Sequence, residues 1–123
     1  MQHMTCEEYR KNILNQEGSK RKYKNIKTKV DGILFDSKKE ANRYCELKLL
    51  LRANKIQSLC RQVKFLLVSK SNTERAMYYV ADFVYTQDGQ AIVEDVKGKR
   101  TQVYINKRKI FKQKYPDVVF RET

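Results

Sequence analysis

The sequence predicts an α/β domain with a mixed central β-sheet flanked by helices. Two segments carry apolar residues at helical spacing, and several short runs between them are rich in β-branched and aromatic residues. An Asp-Gly pair joins two of these runs, which is a strong hairpin signal. The predicted order is therefore helix, strands, hairpin, helix, strand, and 123 residues are one domain by length.

Residues 1–29 are predicted to form a basic and mobile N-terminal arm. Residues 5–15 are compatible with a helix capped by Thr5, and residues 17–19 would break it. Six basic residues and no acid follow between residues 18 and 29: Lys20, Arg21, Lys22, Lys24, Lys27 and Lys29. A solvated tail and a phosphate-binding arm are both compatible with this composition. The folded domain is expected to span residues 30–123.

The first long helix is predicted to begin after a turn and a short extended segment at residues 30–36. Ser37 and Glu40 have the spacing of a capping box. The helix is expected to run to about Ala53 and to bury one stripe, made of Ala41, Tyr44, Cys45, Leu47, Leu50 and Leu51. Glu40 lies at the edge of that stripe. It has two possible roles, as a member of the capping box or as an acidic metal ligand directed toward the sheet.

Residues 77–98 are predicted to form a β-hairpin, after one or two strands at residues 56–68 and a polar loop. Asp88 and Gly89 would be the two loop residues. Counting outward from them pairs Gln87 with Gln90, Tyr85 with Ile92, Phe83 with Glu94, and Asp82 with Asp95.

Asp82, Asp95 and Lys97 are predicted to share one face of this hairpin, since side chains alternate along a strand. Opposed carboxylates about 4.5–5.5 Å apart repel each other. A divalent cation would neutralise them, and two carboxylates beside an ammonium group suit Mg²⁺-assisted phosphodiester hydrolysis. On spacing alone, solvated charges on an exposed hairpin explain the pattern equally well.

Apolar residues on both faces of the hairpin favour the metal-site interpretation. Alternation places Val80, Val84 and Val93 on the acidic face, and Phe83, Ile92 and Val96 on the other. Strands that are apolar on both faces are typical of the interior of a sheet. Carboxylates buried there need a partner such as a metal ion.

Thr101 is predicted to cap a second helix that ends near Tyr115, before Pro116. One stripe of this helix would carry Val103, Tyr104, Lys107, Ile110, Phe111 and Lys114. Lys107 either extends to the surface or reaches a phosphate. Residues 118–121 are predicted to form the last strand.

The net charge of +13 indicates a partner that is a polyanion. Residues 97–114 add a second basic block without an acid, comprising Lys97, Lys99, Arg100, Lys107, Arg108, Lys109, Lys112 and Lys114. We expect nucleic acid rather than a membrane, because no basic amphipathic helix has an aromatic anchor row. No apolar run approaches the ~20 residues that cross a bilayer, and residues 1–20 contain no secretory signal.

Cysteine and histidine usage argues against several other classes of site. Three widely spaced cysteines favour reduced thiols and a cytoplasmic location. A single histidine, His3, and the absence of paired cysteines argue against a zinc site and a Ser-His-Asp triad. Any metal is therefore expected to bind through oxygen.

Glu40 on a helix, then Asp82, then Asp95-Val96-Lys97 on the next strand resembles the pattern of the PD-(D/E)XK nuclease superfamily. Residues 35–44, 79–83 and 93–98 look like a family of small phage-type proteins placed in that superfamily. The resemblance covers about residues 22–122. Ala81 replaces the usual proline before Asp82, and the central acid is Asp95 where glutamate is more frequent.

The resemblance implies a restriction-endonuclease-like core and a metal-dependent endonuclease. Asp82 and Asp95 would bind Mg²⁺ or Mn²⁺, Glu40 would complete the acidic site, and Lys97 would assist the attacking water. Related folds suggest branched or junction DNA in phage recombination or replication, a homodimer, and the cytoplasm of the host cell.

The basic blocks supply the residues expected to contact DNA: Lys20, Arg21, Lys22, Lys24, Lys99, Arg100, Lys107 and Arg108. A non-catalytic nucleic-acid-binding module and a small basic adaptor protein are the alternatives. The choice between DNA and RNA stays open.

Overall fold

The computed structural model describes residues 5–9, 27–96 and 99–123. Its elements are β1 (Thr28–Val30), β2 (Ile33–Phe35), α1 (Lys38–Arg52), β3 (Gln57–Val68), β4 (Met77–Gln87), β5 (Gln90–Asp95), α2 (Gln102–Lys114) and β6 (Val119–Glu122). The chain divides into two compact units, Met1–Leu49 and Leu50–Thr123. The predicted boundary between an arm at residues 1–29 and a domain at residues 30–123 stays a prediction, because residues 10–26 lie outside the described residues.

The first unit contains a short β-hairpin. β1 and β2 pair antiparallel, with Val30 opposite Ile33. The turn residues Asp31 and Gly32 have φ angles of 51° and 77°, and two positive φ values in a two-residue loop match the twist of the flanking strands. Thr28 and Lys29, which the sequence assigned to the arm, are the first residues of β1.

Helix α1 begins where the capping signal predicts. The Ser37 side chain accepts a hydrogen bond from the Glu40 backbone N–H at 3.1 Å. The helix buries Ala41, Tyr44, Cys45 and Leu47, as its apolar spacing predicted. Thr5 likewise accepts from the Glu8 N–H at 3.2 Å and begins a helical turn at residues 6–9. The rest of that predicted helix lies outside the described residues.

The second unit is built on a four-stranded sheet in the order β3-β4-β5-β6. β3, β4 and β5 are antiparallel neighbours, whereas β6 runs parallel to β5, so the predicted mixed sheet is confirmed. Asp88 and Gly89 form the β4–β5 turn with φ angles of 52° and 76°. The first three predicted pairs, from Gln87↔Gln90 to Phe83↔Glu94, are present.

Strand β5 is buried on both faces, as both apolar faces of the hairpin predicted. Ile92, Val93, Glu94 and Asp95 are all buried. The expectation is wrong at Val80 of β4, which is 40% exposed. The hairpin is therefore buried on both faces at the end of β5, where the adjacent acids Glu94 and Asp95 lie.

Helix α2 packs on this sheet through Tyr104 and Phe111. Thr101 caps the helix by accepting from the Tyr104 N–H, as predicted. Phe111 lies 5.0 Å from Phe65 and 5.2 Å from Tyr79 between ring centroids. The predicted stripe is wrong at Val103, which is 65% exposed. Val103 is about 100° around the helix from Tyr104, and the large rings of Tyr104 and Phe111 take the contact with the sheet.

No helix within the described ranges is long and apolar enough to cross a membrane. The three cysteines, Cys6, Cys45 and Cys60, are all described and form no disulfide.

Candidate functional site

Asp82 and Asp95 lie in neighbouring strands where the β4–β5 pairing ends. The register runs as predicted to Phe83↔Glu94, and the two aspartates are the next residues outward. The Asp82 Oδ2 accepts a hydrogen bond from the Val96 backbone N–H at 2.8 Å. The Asp82 side chain thus bonds to the chain directly after β5, and this bond fixes the orientation of its carboxylate.

Asp82 is also linked to β3. The Gln62 Nε2 is 3.4 Å from its Oδ1, a weaker contact than the bond to Val96. Asp82 is only half-buried. A carboxylate that hydrogen bonds hold in place in a half-buried residue is suited to binding a cation.

Asp95 is fully buried at the end of β5. The Tyr79 hydroxyl donates a hydrogen bond to its Oδ2 at 2.5 Å. Strict alternation along the hairpin would put Tyr79 on the face opposite Asp95, so the sequence did not identify this partner. Tyr79 is the main functional residue that sequence reasoning missed.

Side chains of β4 do not alternate strictly between its two faces, and this irregularity brings Tyr79 to Asp95. Tyr79 and Val84, five residues apart, pack into the same core cluster, which strict alternation forbids. Between them, the pairs Arg61↔Phe83 and Val63↔Ala81 place Gln62 across from Asp82, and Gln62 has a φ of 51°. This unusual backbone conformation in β3 marks the place where alternation is interrupted.

The Tyr79 hydroxyl stays protonated and serves as a donor. Burial raises its pKa most, and the hydrogen bond to Asp95 and the charges of Asp95 and Asp82 raise it further. The Tyr79 bond holds Asp95 and the Val96 bond holds Asp82, both at the end of the β4–β5 pairing.

Glu122 adds a third acid beside Asp95 that the sequence did not single out. β6 pairs in parallel with β5 and sets Glu122 next to Asp95. Its carboxylate accepts from the Tyr104 hydroxyl at 2.8 Å, from Arg100 Nε at 3.0 Å and from Arg108 Nη1 at 2.9 Å. The sequence did not reveal that the last strand pairs in parallel with β5, and this pairing is what aligns Glu122 with Asp95.

These contacts set the protonation state of Glu122 and Tyr104. Burial alone would raise the pKa of Glu122, but hydrogen bonds from Arg100 and Tyr104 and the charge of Arg108 outweigh it and lower the pKa. Burial, followed by the hydrogen bond to Glu122, raises the pKa of Tyr104. Glu122 is therefore ionised and held by two arginines at neutral pH.

Glu94 forms a separate polar group on the other face of β5. It is fully buried. The Tyr85 hydroxyl donates to its Oε1 at 2.6 Å, and the Thr123 hydroxyl lies 3.3 Å from its Oε2. Arg121 donates to the Tyr85 oxygen at 2.9 Å. This network satisfies Glu94 structurally and separates it from Asp95.

The structure does not place the other two predicted catalytic residues, Glu40 and Lys97, beside Asp82 and Asp95. Glu40 belongs to the first unit, where it is 7% exposed in the first turn of α1. Its role as a third ligand stays a prediction. Lys97 lies outside the described residues.

The predicted DNA-binding residues divide into three groups. Lys20, Arg21, Lys22 and Lys24 lie outside the described residues. Arg100 and Arg108 bind Glu122, although the Arg100 side chain remains 57% exposed. Lys99 is exposed and Lys107 is half-buried. Among the described residues of this set, Lys99 and Arg100 are thus the exposed ones.

The donor chemistry of Asp82 and Asp95 fits a hard cation such as Mg²⁺. The part of the chain that the structure describes contains no group of three or more His, Cys, Asp or Glu side chains arranged to hold a metal ion. Mg²⁺ nevertheless often binds through one or two carboxylates and keeps several waters. Two carboxylates, one anchored by a backbone N–H and one by a tyrosine, meet that requirement.

Comparison with known proteins identifies a family but no characterised relative. The model of a family described as a protein of unknown function matches residues 20–122, which include all four predicted catalytic residues. No curated protein and no solved structure matches the chain.

Replacing Tyr79 by phenylalanine should destabilise the protein more than the same change at Tyr115. Tyr79→Phe removes a hydrogen bond to a buried carboxylate, with an expected loss of about 1.5–3 kcal/mol, whereas Tyr115 donates to the neutral Leu66 carbonyl and should lose about 0.5–1.5 kcal/mol. Urea unfolding at neutral pH measures both. Equal losses would contradict the role of the Tyr79 hydroxyl.

Glu122 should stabilise the protein in a pH-dependent way. Its pKa is lower in the folded chain than its ordinary value of 4.5, so its contribution is complete above that pH and is lost as the pH falls below it. The difference in unfolding free energy between wild type and Glu122→Gln should therefore shrink as the pH falls from about 5 to about 3.

The matched control for this titration is Glu74→Gln, because Glu74 is exposed. Its difference from wild type should change little over the same range. A difference for Glu122→Gln that stays constant as the pH falls would show that the arginine contacts do not depend on ionisation.

Proposed function

We propose that this chain, which belongs to the DUF1064 family of proteins of unknown function, is a metal-dependent endonuclease that hydrolyses DNA phosphodiester bonds. The observation that carries the proposal is the pair Asp82 and Asp95, at adjacent strand positions with each carboxylate oriented by a hydrogen bond. Burying the Asp95 carboxylate costs free energy, which a bound cation would offset.

Asp82 and Asp95 are the residues that would hold Mg²⁺ or Mn²⁺ in this proposal. The bound ion supplies Lewis-acid activation of the phosphate and lowers the pKa of water. The Val96 N–H orients Asp82, and the Tyr79 hydroxyl orients Asp95. Because both donors belong to the sheet or to the chain directly after it, the carboxylates need little rearrangement before they bind.

Lys97 and Glu40 are proposed to complete the chemistry. Lys97 follows Val96, whose backbone binds Asp82, and its ammonium group would position the attacking water or stabilise the developing negative charge. Water adds to phosphorus while a bond from phosphorus to a deoxyribose oxygen breaks, leaving a phosphate on one end and a hydroxyl on the other. Glu40 would be a further ligand, directly or through water.

The basic residues would bind the DNA backbone. Contacts to phosphate from Lys99, Arg100 and the arm residues near Lys20 give affinity and orientation without base specificity. A restriction-endonuclease-like core, a homodimer and a preference for branched DNA in phage recombination or replication are part of the proposal through the resemblance to nucleases alone.

A non-catalytic nucleic-acid-binding module is the second candidate. Two observations favour it: both aspartates already accept hydrogen bonds within the protein, and the described residues hold no group of three metal ligands. In that case Asp82 and Asp95 are structural, and the basic residues alone carry the function.

Cleavage of labelled DNA tests the proposal. Four-way junction, flap, duplex and single-stranded substrates, and matching RNA, are incubated with Mg²⁺, Mn²⁺ or EDTA. We expect cleavage of at least one DNA substrate only with a metal ion. Asp82→Asn and Asp95→Asn should abolish it, and Lys97→Ala should slow it by about 10²-fold or more.

Two controls match these variants. Asp117→Asn and Lys55→Ala change an exposed aspartate and an exposed lysine and should cut like wild type. Melting by circular dichroism establishes that each variant is folded. If no substrate is cut while wild type, Asp82→Asn and Lys97→Ala bind DNA equally, the binding module replaces the nuclease.

A further inference from the structure

A shallow groove in the second unit lies at the start of β4. It encloses about 710 Å³ and is lined by the loop before β4, by the first residues of β4 and by Lys107 of α2. Lys107, which was predicted to contact DNA, lines the groove, whereas Asp82 and Asp95 do not.

The floor of the groove is apolar and exposed. Met77, Tyr78 and Val80 are 38%, 42% and 40% exposed. Tyr78 and Val80 alternate with Tyr79 and Ala81, which are buried in the core cluster. Their side chains therefore point away from that core, and they form a contiguous apolar patch rather than scattered surface residues.

Cations surround the tyrosine of this patch. Arg75 and Lys107 line the groove, and the Lys64 Nζ lies 5.5 Å from the centroid of the Tyr78 ring. Glu74 is the one acid among the lining residues. An exposed aromatic ring among cations is how proteins bind single-stranded nucleic acid, with bases stacked on the ring and phosphates on the cations.

We propose that this groove binds a segment of single-stranded DNA, with a base against Tyr78 and adjoining phosphates on Arg75 and Lys107. The positive lining and the net charge of +13 favour a polyanion over an apolar peptide. An open groove with one tyrosine suits an unpaired strand, because the bases of a duplex are stacked on each other.

The groove also bears on the proposed nuclease, and in this respect it rests on the proposed function. Val80 is two residues from Asp82 in β4, a rise of about 6.8 Å. Tyr78 and Val80 point away from the core that contains Tyr79, the partner of Asp95, so the groove would hold a part of the substrate that is not being cut. Substrates with an unpaired segment, such as flaps, would then be held better than a continuous duplex.

Binding of a labelled oligothymidine of about 12 nucleotides, measured by fluorescence anisotropy in EDTA, tests this groove without metal or cleavage. We expect Tyr78→Ala to weaken binding roughly tenfold. Tyr78→Phe keeps the ring and should bind like wild type. Tyr78→Leu keeps an apolar side chain without a ring and should bind like Tyr78→Ala.

The contribution of Lys107 is read from the salt dependence. Lys107→Ala should weaken binding and lower the slope of log affinity against log salt by about 0.7, the value for one phosphate contact on a single strand. Lys55→Ala, an exposed lysine outside the groove, should leave the slope unchanged. A slope that falls equally in both variants would overturn the assignment of a phosphate to Lys107.

Two results would contradict the proposal that the groove binds single-stranded DNA through Tyr78. Wild-type affinity in Tyr78→Ala would remove the contact at Tyr78, and wild-type affinity in Tyr78→Leu would show that no base stacks on the ring. Because Tyr78 is exposed, its variants should keep the wild-type melting temperature.

The two sets of measurements can contradict the nuclease proposal and the groove proposal independently. A protein that cuts DNA while Tyr78→Ala binds normally lacks the groove function only. A protein that binds through Tyr78, and in which wild type and Asp95→Asn both leave DNA intact, lacks the nuclease function only.

Discussion

The hydrogen bond from Tyr79 to the buried carboxylate of Asp95 is the interaction on which the rest of the site depends. A charge without contact to solvent is expensive, and a donor in fixed geometry offsets part of that cost. Tyr79 can donate only because the phase of β4 changes near Asp82, opposite the unusual backbone of Gln62. Asp82, opposite Gln62, accepts its own bond from the Val96 N–H. Both aspartates are therefore held by hydrogen bonds close to this irregularity.

In the proposed function, the second unit would divide two tasks between two surfaces. At the end of β5, rigid and buried groups orient carboxylates, and Glu122 with Arg100 and Arg108 holds β6 and α2 against that end. At the start of β4, exposed apolar and basic residues provide a surface that can adapt to a flexible strand. Electrostatic preorganisation requires the first kind of environment, and binding without sequence preference requires the second. β4 passes through both.

Local signals in the sequence predicted most of the fold. The Asp-Gly pair set the hairpin register, and the caps at Ser37 and Thr101 set the starts of both helices, because each depends on a few adjacent residues. That register was enough to bring Asp82 and Asp95 to neighbouring positions. Tyr79 and Glu122 were not predictable in the same way. The first depends on a backbone distortion in another strand, and the second depends on the parallel pairing of β5 with a segment 27 residues later. Val103 was misplaced because apolar spacing alone does not choose between adjacent faces of a helix.

Direct measurement of Mn²⁺ binding tests the central claim, that Asp82 and Asp95 form a cation site. Electron paramagnetic resonance of free Mn²⁺, titrated with protein in the absence of DNA, counts bound ions without relying on activity. We predict that wild type and Asp117→Asn remove Mn²⁺ from solution equally, and that Asp82→Asn and Asp95→Asn each lose this binding while remaining folded. Binding that is absent from wild type, or unchanged in both aspartate variants, would contradict the account and leave the two carboxylates with a structural role.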